Sequence, residues 1–237
     1  MSQTHETEDY PQLSTDELVK RLCSGADVVP LPLAQAFVAR GSDVVPSLCA
    51  IVASAEWWEY EDGAVAVDAM HLLGAIGDPA AASALLAPLF WDEESDWITE
   101  SMPGILARLG PEAIPLLRSF VEDGSQDMIM RSVVYTGLVG MAVLHPEIRD
   151  QVHDIGAQLA RRCLQQKEPF PAPIGVDLAE FQDPADVQLL DQLYRSKLWD
   201  SPRICKWEDV LAASEEWLNE SNAEHATRDP MRYFSSV

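Results

Sequence analysis

The sequence predicts an all-α protein, an α-solenoid of stacked helix pairs closed by a helical C-terminal cap. Three observations predict it. Apolar residues recur at spacings of three and four nearly throughout, as on amphipathic helices. No stretch shows sustained strand-like alternation. Pro79, Pro111 and Pro146 each open the second helix of a pair after a turn, 32 and 35 residues apart. A helix–turn–helix unit with such a period marks a solenoid, because one unit cannot bury its apolar face alone and stacking makes a continuous core.

The elements follow in order. Residues 1–12, "MSQTHETEDYPQ", are polar and acidic and are expected to form a flexible tail. Residues 13–167 hold the repeats. An early copy reads "ARGSDVVPSLCAIV", whose Pro46 and Leu48 align with Pro115 and Leu117 of "ARLGPEAIPLLRSFV". In "GAVAVDAMHLLGAIG", Val65, Ala69, Leu72, Leu73 and Ile76 lie on one helical face, and Gly77 ends the helix. Asp78 caps the next helix, with Pro79 at its first position, where the missing N–H costs nothing. Leu85, Leu86 and Leu89 then face inward, and a more distant copy is "VLHPEIRDQVHDIG". The predicted central core is Leu72, Leu73, Ile76, Leu85, Leu86, Leu106, Leu109, Ile114, Leu117 and Val133. Pro169, Pro171, Pro173 and Gly175 predict a non-helical connector over residues 168–176. Residues 177–222 form the predicted cap, with Asp183 and Pro184 starting one helix and another beginning near Trp207. Residues 223–237 are expected to be a flexible tail.

The stretch "LLGAIGDPAAASALL" resembles the helix–turn–helix of HEAT-like repeats of the short, bacterial, phycobilin-lyase type, a likeness covering roughly residues 33 to 165. The resemblance implies the fold and says almost nothing about function. HEAT repeats often carry an Arg soon after the turn Asp; here Asp78 is followed by Pro79 and three alanines, so that polar ladder is not implied. The order "PLPLAQAFVARGSDVVPSLCAIV", "DWITESMPGILARLG", "VDLAEFQDPADVQLLDQLYRSKLWDSPRICKWEDV" is similar to an uncharacterised bacterial family of HEAT-like proteins. Some of its members carry a C-terminal SEC-C zinc module. This chain ends "AEHATRDPMRYFSSV", without that Cys cluster, so the module's role is not carried over.

Composition narrows the partners. With 16 Lys and Arg against 39 Asp and Glu among 237 residues, the formal charge is −23. Phosphate backbones demand cationic contacts, so nucleic acid is not an expected partner. A basic protein surface is, because opposite fields steer encounter. No segment approaches the roughly 18 consecutive apolar residues that span a membrane, and the N-terminus does not read as a signal peptide. Cys23, Cys49, Cys163 and Cys205 are far apart and form no CxxC pair, so neither a disulfide framework nor a zinc site is expected. A cytoplasmic protein is the expectation.

No catalytic signature is found: HExxH, GxSxG, Walker A and GxGxxG are all absent. HEAT-like deoxyhypusine hydroxylases hold di-iron on repeated His-Glu pairs, and the one such pair here is His5-Glu6, in the tail. Nothing specifies a bilin, and neither cofactor nor metal is expected. His145 precedes Pro146 and reads as a turn residue.

The acids cluster with tryptophan instead. "EWWEYED" holds Trp57, Trp58, Glu59, Glu61 and Asp62; "WDEESDW" holds Trp91, Asp92, Glu93, Glu94 and Asp96, and ends on Trp97. "EDGSQD" holds Glu122, Asp123 and Asp127. All three follow the second helix of a repeat, and equivalent connectors of a solenoid stack along one edge. Carboxylates with embedded aromatics suit Arg- and Lys-rich ligands through ion pairs and cation–π contacts. Alternatively, the same acids serve as helix caps and helix-dipole partners. The functional expectation is a non-catalytic protein-interaction module using this acidic–aromatic ridge. The alternative is an enzyme or small-molecule binder on the concave face, with Asp68, His71, Glu100 and Arg131 as its polar groups.

Overall fold

The computed structural model describes residues 9–24, 29–59, 63–90, 96–200, 206–215 and 229–235. Among them the protein is almost wholly helical. The helices are α1 (Thr15–Leu22), α2 (Leu31–Arg40), α3 (Val45–Val52), α4 (Ala55–Glu59), α5 (Ala64–Ile76), α6 (Ala82–Leu86), α7 (Asp96–Ala107) and α8 (Ile114–Glu122). They continue with α9 (Met128–Leu144), α10 (Arg149–Gln166), α11 (Ala172–Ala179), α12 (Pro184–Arg195) and α13 (Trp207–Glu215). The extended pairing in the described residues is one parallel bridge between β1 (Phe170–Pro171) and β2 (Trp199–Asp200). No described helix is long and apolar enough to cross a membrane.

Three prolines do the same local work. Each opens a single 3-10 turn, Pro79–Ala81, Pro111–Ala113 and Pro146–Ile148, that leads into α6, α8 and α10 respectively. Proline fits there because its fixed φ suits the first helical position and its missing N–H would have had no partner. Gly77 ends α5 with φ +72, and a Cβ there would stand 2.9 Å from the Arg108 carbonyl oxygen of the next turn. The 79–81 turn also packs on the 111–113 turn. Asp78 caps Ala80 at 2.9 Å and is hydrogen-bonded to Ser42 as well, which ties it to the preceding turn.

Helices line up in two rows. In one, α5 packs on α7, α7 on α9 and α9 on α11; in the other, α3 packs on α6 and α6 on α8. Close approach within the first row rests on small residues. A Cβ on Gly74 would meet Ile105 at 2.9 Å, and one on Gly137 would meet Leu106 at 2.8 Å. The apolar core draws on both rows. Leu72, Leu73, Leu85, Leu86, Leu106, Leu109, Ile114, Leu117 and Val133 are buried there as the periodicity requires, while Ile76 is half-buried.

Three segments differ from the sequence expectation. Residues 10–12, assigned to a flexible tail, form a 3-10 turn, and the Arg40 guanidinium donates to the carbonyls of Pro11 and Leu13. Part of the 168–176 connector is helical, because Pro171 stands at the N-cap of α11 and Pro173 in its first turn, where neither costs a helical hydrogen bond. Phe170 in that connector is fully buried against Trp199, with ring centroids 5.9 Å apart. Finally, residues 230–235 of the expected C-terminal tail form a 3-10 turn that packs on α2 and α5, burying Phe234. Two aromatic side chains stabilise a docked turn that its polar neighbours would leave frayed.

Candidate functional site

A cleft of about 830 Å³ opens beside the loop between α8 and α9. The "EDGSQD" connector forms one wall. Asp123 organises it by accepting from Ser125 N–H at 2.9 Å, Ser125 Oγ at 2.7 Å and Gln126 Nε2 at 2.8 Å. These bonds stabilise the charged form and lower its pKa to about 2. Asp127 caps α9 through Ile129 N–H at 2.7 Å and Met130 N–H at 3.1 Å.

The floor is set by two arginines. Arg131 Nε donates to Val121 O at 2.8 Å, and an Arg162 guanidinium nitrogen donates to Glu122 O at 2.7 Å. Both therefore cap the last carbonyls of α8, where helix ends lack partners and the dipole favours cations. Burial lowers the Arg131 pKa, and Arg162 beside it lowers it further. Cys163 is buried at the same place, and burial raises its thiol. Glu122, Asp127, Glu168 and Asp200 give the lining four acids against those two guanidinium groups, with the Glu122 carboxylate paired to Arg118 at 2.8 Å and that of Asp127 capping α9.

The ridge residues are placed in part. Trp57 and Trp58 are half-buried against the core, and Trp58 Nε1 donates to Val52 O at 2.9 Å. Glu56 and Glu59 are exposed beside them. Glu61, Asp62, Trp91, Asp92, Glu93 and Glu94 lie outside the described residues. Asp96 begins α7, but its side chain and that of Trp97 are likewise outside them.

The four concave-face candidates are not brought together in the cleft: Arg131 lines it, and Asp68, His71 and Glu100 do not. Glu100 is exposed. Asp68 and His71 stand one turn apart on α5 and are roofed by the C-terminal turn. The His71 ring stacks on Tyr233 at 4.0 Å and 7°, and Phe234 stands edge-on at 6.4 Å. Neither ring nitrogen of His71 has a hydrogen-bond partner, and burial lowers its pKa to about 4. Burial raises Asp68 to about 6, partly offset by a hydrogen bond from the Tyr233 hydroxyl. A neutral, roofed imidazole beside a carboxyl of raised pKa is not poised as a general base for an outside substrate.

Sequence reading assigns His153 no role, yet the structure gives it a specific one. His153 Nε2 stands 2.6 Å from Asp186 Oδ2, and the two positions are 33 residues apart. Asp186, Asp177 and Glu180 are all buried near the fully buried Tyr135. Burial drives the Tyr135 hydroxyl well above its ordinary pKa, and those three carboxylates add to it. Thr136 Oγ1 donates to Asp177 at 2.6 Å. No local spacing announces this cluster, because its members come from α9, α10, α11 and α12. Comparison with protein-family models, curated proteins and solved structures finds no match to this chain.

Proposed function

We propose that this chain is a HEAT-like helical-repeat interaction module, a solenoid without catalytic activity that receives a basic segment of a partner protein on its acidic connectors. The stacked turns and the two helix rows support the repeat reading. One observation carries the functional reading: the connector between α8 and α9 walls a cleft whose carboxylates outnumber its guanidinium groups, and those groups are already tied to helix carbonyls. Lys and Arg side chains fit such a lining as exchangeable ion-pair partners. The exposed Glu56 and Glu59, beside half-buried tryptophans, extend the same chemistry to an earlier connector.

Exposed ion pairs contribute only about 0 to 1 kcal/mol each, so binding of this kind is multivalent and screened by salt. The test uses a fluorescent peptide of alternating Arg, Lys and Ala residues. Wild-type protein binds it at low salt and releases it as salt rises. Reversal of Glu168 and Asp200 to Lys weakens binding; reversal of Glu59, Glu61, Glu93 and Glu94 to Lys does so if the earlier connectors share the load. Reversal of the exposed Glu147 serves as a control. Equal binding by every variant would show that the acids are only solubilising.

A second reading has one observation in its favour. The cleft volume lies in the range of small-molecule sites, and the buried Arg131 offers a fixed donor. A small anionic ligand would bind with weaker dependence on the rim acids and would be lost with Arg131→Met.

A further inference from the structure

We propose that His153, Asp183 and Asp186 form a site for one divalent cation of the zinc class, between α10 and the start of α12. One ligand atom from each of the three lies within 4.8 Å of the others. In a tetrahedral site with bonds near 2.1 Å, ligand atoms sit roughly 3.4 Å apart, so the observed spread needs only small side-chain movements. An imidazole with two carboxylates is a borderline donor set that suits zinc and, less tightly, manganese.

A second observation points the same way. Asp186 is 1% exposed, and its Oδ1 has no hydrogen-bond partner. A buried carboxylate oxygen left without a donor is costly, and a cation bound by both oxygens removes that cost. The alternative is that Asp186 serves only to cap α12, where it holds the third helical position. A capping box would aim its carboxylate at the Asp183 backbone N–H. Instead Oδ2 faces His153 and Oδ1 has no donor, while Asp183 alone caps Ala185, through Oδ1 at 2.8 Å. Behind the imidazole, Asp154 Oδ1 stands 3.7 Å from His153 Nδ1, beyond hydrogen-bond reach, and would have to close in to orient the ring for a metal. Around the Asp186 carboxyl, Asp183 adds negative charge and Arg161 adds positive charge.

The full chain, stripped with chelator and dialysed, is titrated with ZnCl2 by calorimetry and with CoCl2 by absorption. The expected result is one saturable equivalent and a cobalt spectrum without a thiolate charge-transfer band, which separates this site from the cysteines. Asp186→Asn and His153→Gln lower affinity by roughly 10- to 100-fold or more, since loss of even an outer-shell partner costs that much. His145→Gln leaves it unchanged. Should either buried variant fail to fold, Asp183→Asn decides the matter: it keeps the helix cap and the buried His153–Asp186 pair, yet removes a ligand. Absence of a saturable equivalent in the wild type, or equal affinity in Asp183→Asn, would overturn the proposal and leave His153–Asp186 as a structural ion pair.

Discussion

Replacing Asp68 by Asn should stabilise the protein, and by more at neutral pH than at acid pH. Asp68 lies under the C-terminal turn, 9% exposed, accepts a hydrogen bond from the Tyr233 hydroxyl, and has a pKa raised from 3.8 to about 6, chiefly by burial. In the unfolded chain it ionises near 3.8, so between pH 3.8 and 6 the folded state holds a proton that the unfolded state has released. Stability therefore falls as pH rises through that window and stays reduced above it. A shift of about two units corresponds to about 3 kcal/mol above pH 6, and to about 1.6 kcal/mol at pH 5. Asparagine keeps the shape and the acceptor oxygen without the charge. Its new N–H groups have candidate acceptors one turn along, in the ring nitrogens of His71 that no other group uses. His71 has the opposite sign. Its pKa falls from 6.5 to about 4, so its contribution grows as pH rises from 4 to 6.5. In the wild type the two slopes nearly cancel; in Asp68→Asn the His71 slope stands alone. Urea unfolding at pH 5 and pH 7.5, with hydrogen exchange over residues 229–235, reads both effects. The expected gain is about 1 to 3 kcal/mol at pH 7.5, capped by the free energy that holds the turn down. A variant no more stable than wild type at pH 7.5, or a gain independent of pH, would refute the reasoning.

Two further outcomes test the packing. Leu86→Ala should cost about 2 to 5 kcal/mol in urea unfolding, because Leu86 is 5% exposed within the core; a loss below about half a kilocalorie would mean that the inward face of α6 is misassigned. Gly156→Ala should destabilise by about 1 to 3 kcal/mol, although alanine is the better helix former by about 1 kcal/mol. Its Cβ would stand 2.2 Å from the Tyr135 hydroxyl and 2.7 Å from the ring, so a raised melting temperature would contradict the close approach of α10 to α9.

What the sequence makes legible is what local physics fixes. Pro79, Pro111 and Pro146 fit only a few backbone positions, so their places predict the turns they occupy. Leu72 and Leu73 of α5, Leu85 and Leu86 of α6 and Leu117 of α8 carry a helical period, so their burial follows. What it hides depends on partners far along the chain. "DPMRYF" reads as part of a flexible tail, because the aromatic residues that hold its turn down are read only against α5, some 160 residues earlier. Pro171 and Pro173 read as helix breakers and stand instead at a helix start, a distinction of one or two positions. Arg131 and Arg162 meet because both cap α8, and neither position reveals that.

The acids of this chain divide into two populations that obey different physics. Glu56, Glu59 and Glu168 face water; each contributes little alone, and their sum is a field that salt screens. Asp68, Asp177 and Asp186 are buried, where a charge is costly and each carboxylate has a specific neighbour: Tyr233, Thr136 and His153. Composition counts both populations alike, so a net charge of −23 describes the first and conceals the second. The difference separates the two proposals experimentally. Binding of a basic peptide by the connectors should respond to ionic strength and be unchanged in Asp183→Asn. Cation binding between α10 and α12 should fall in Asp183→Asn, with little loss in moderate salt. A single site that answered to both variables alike would contradict this division.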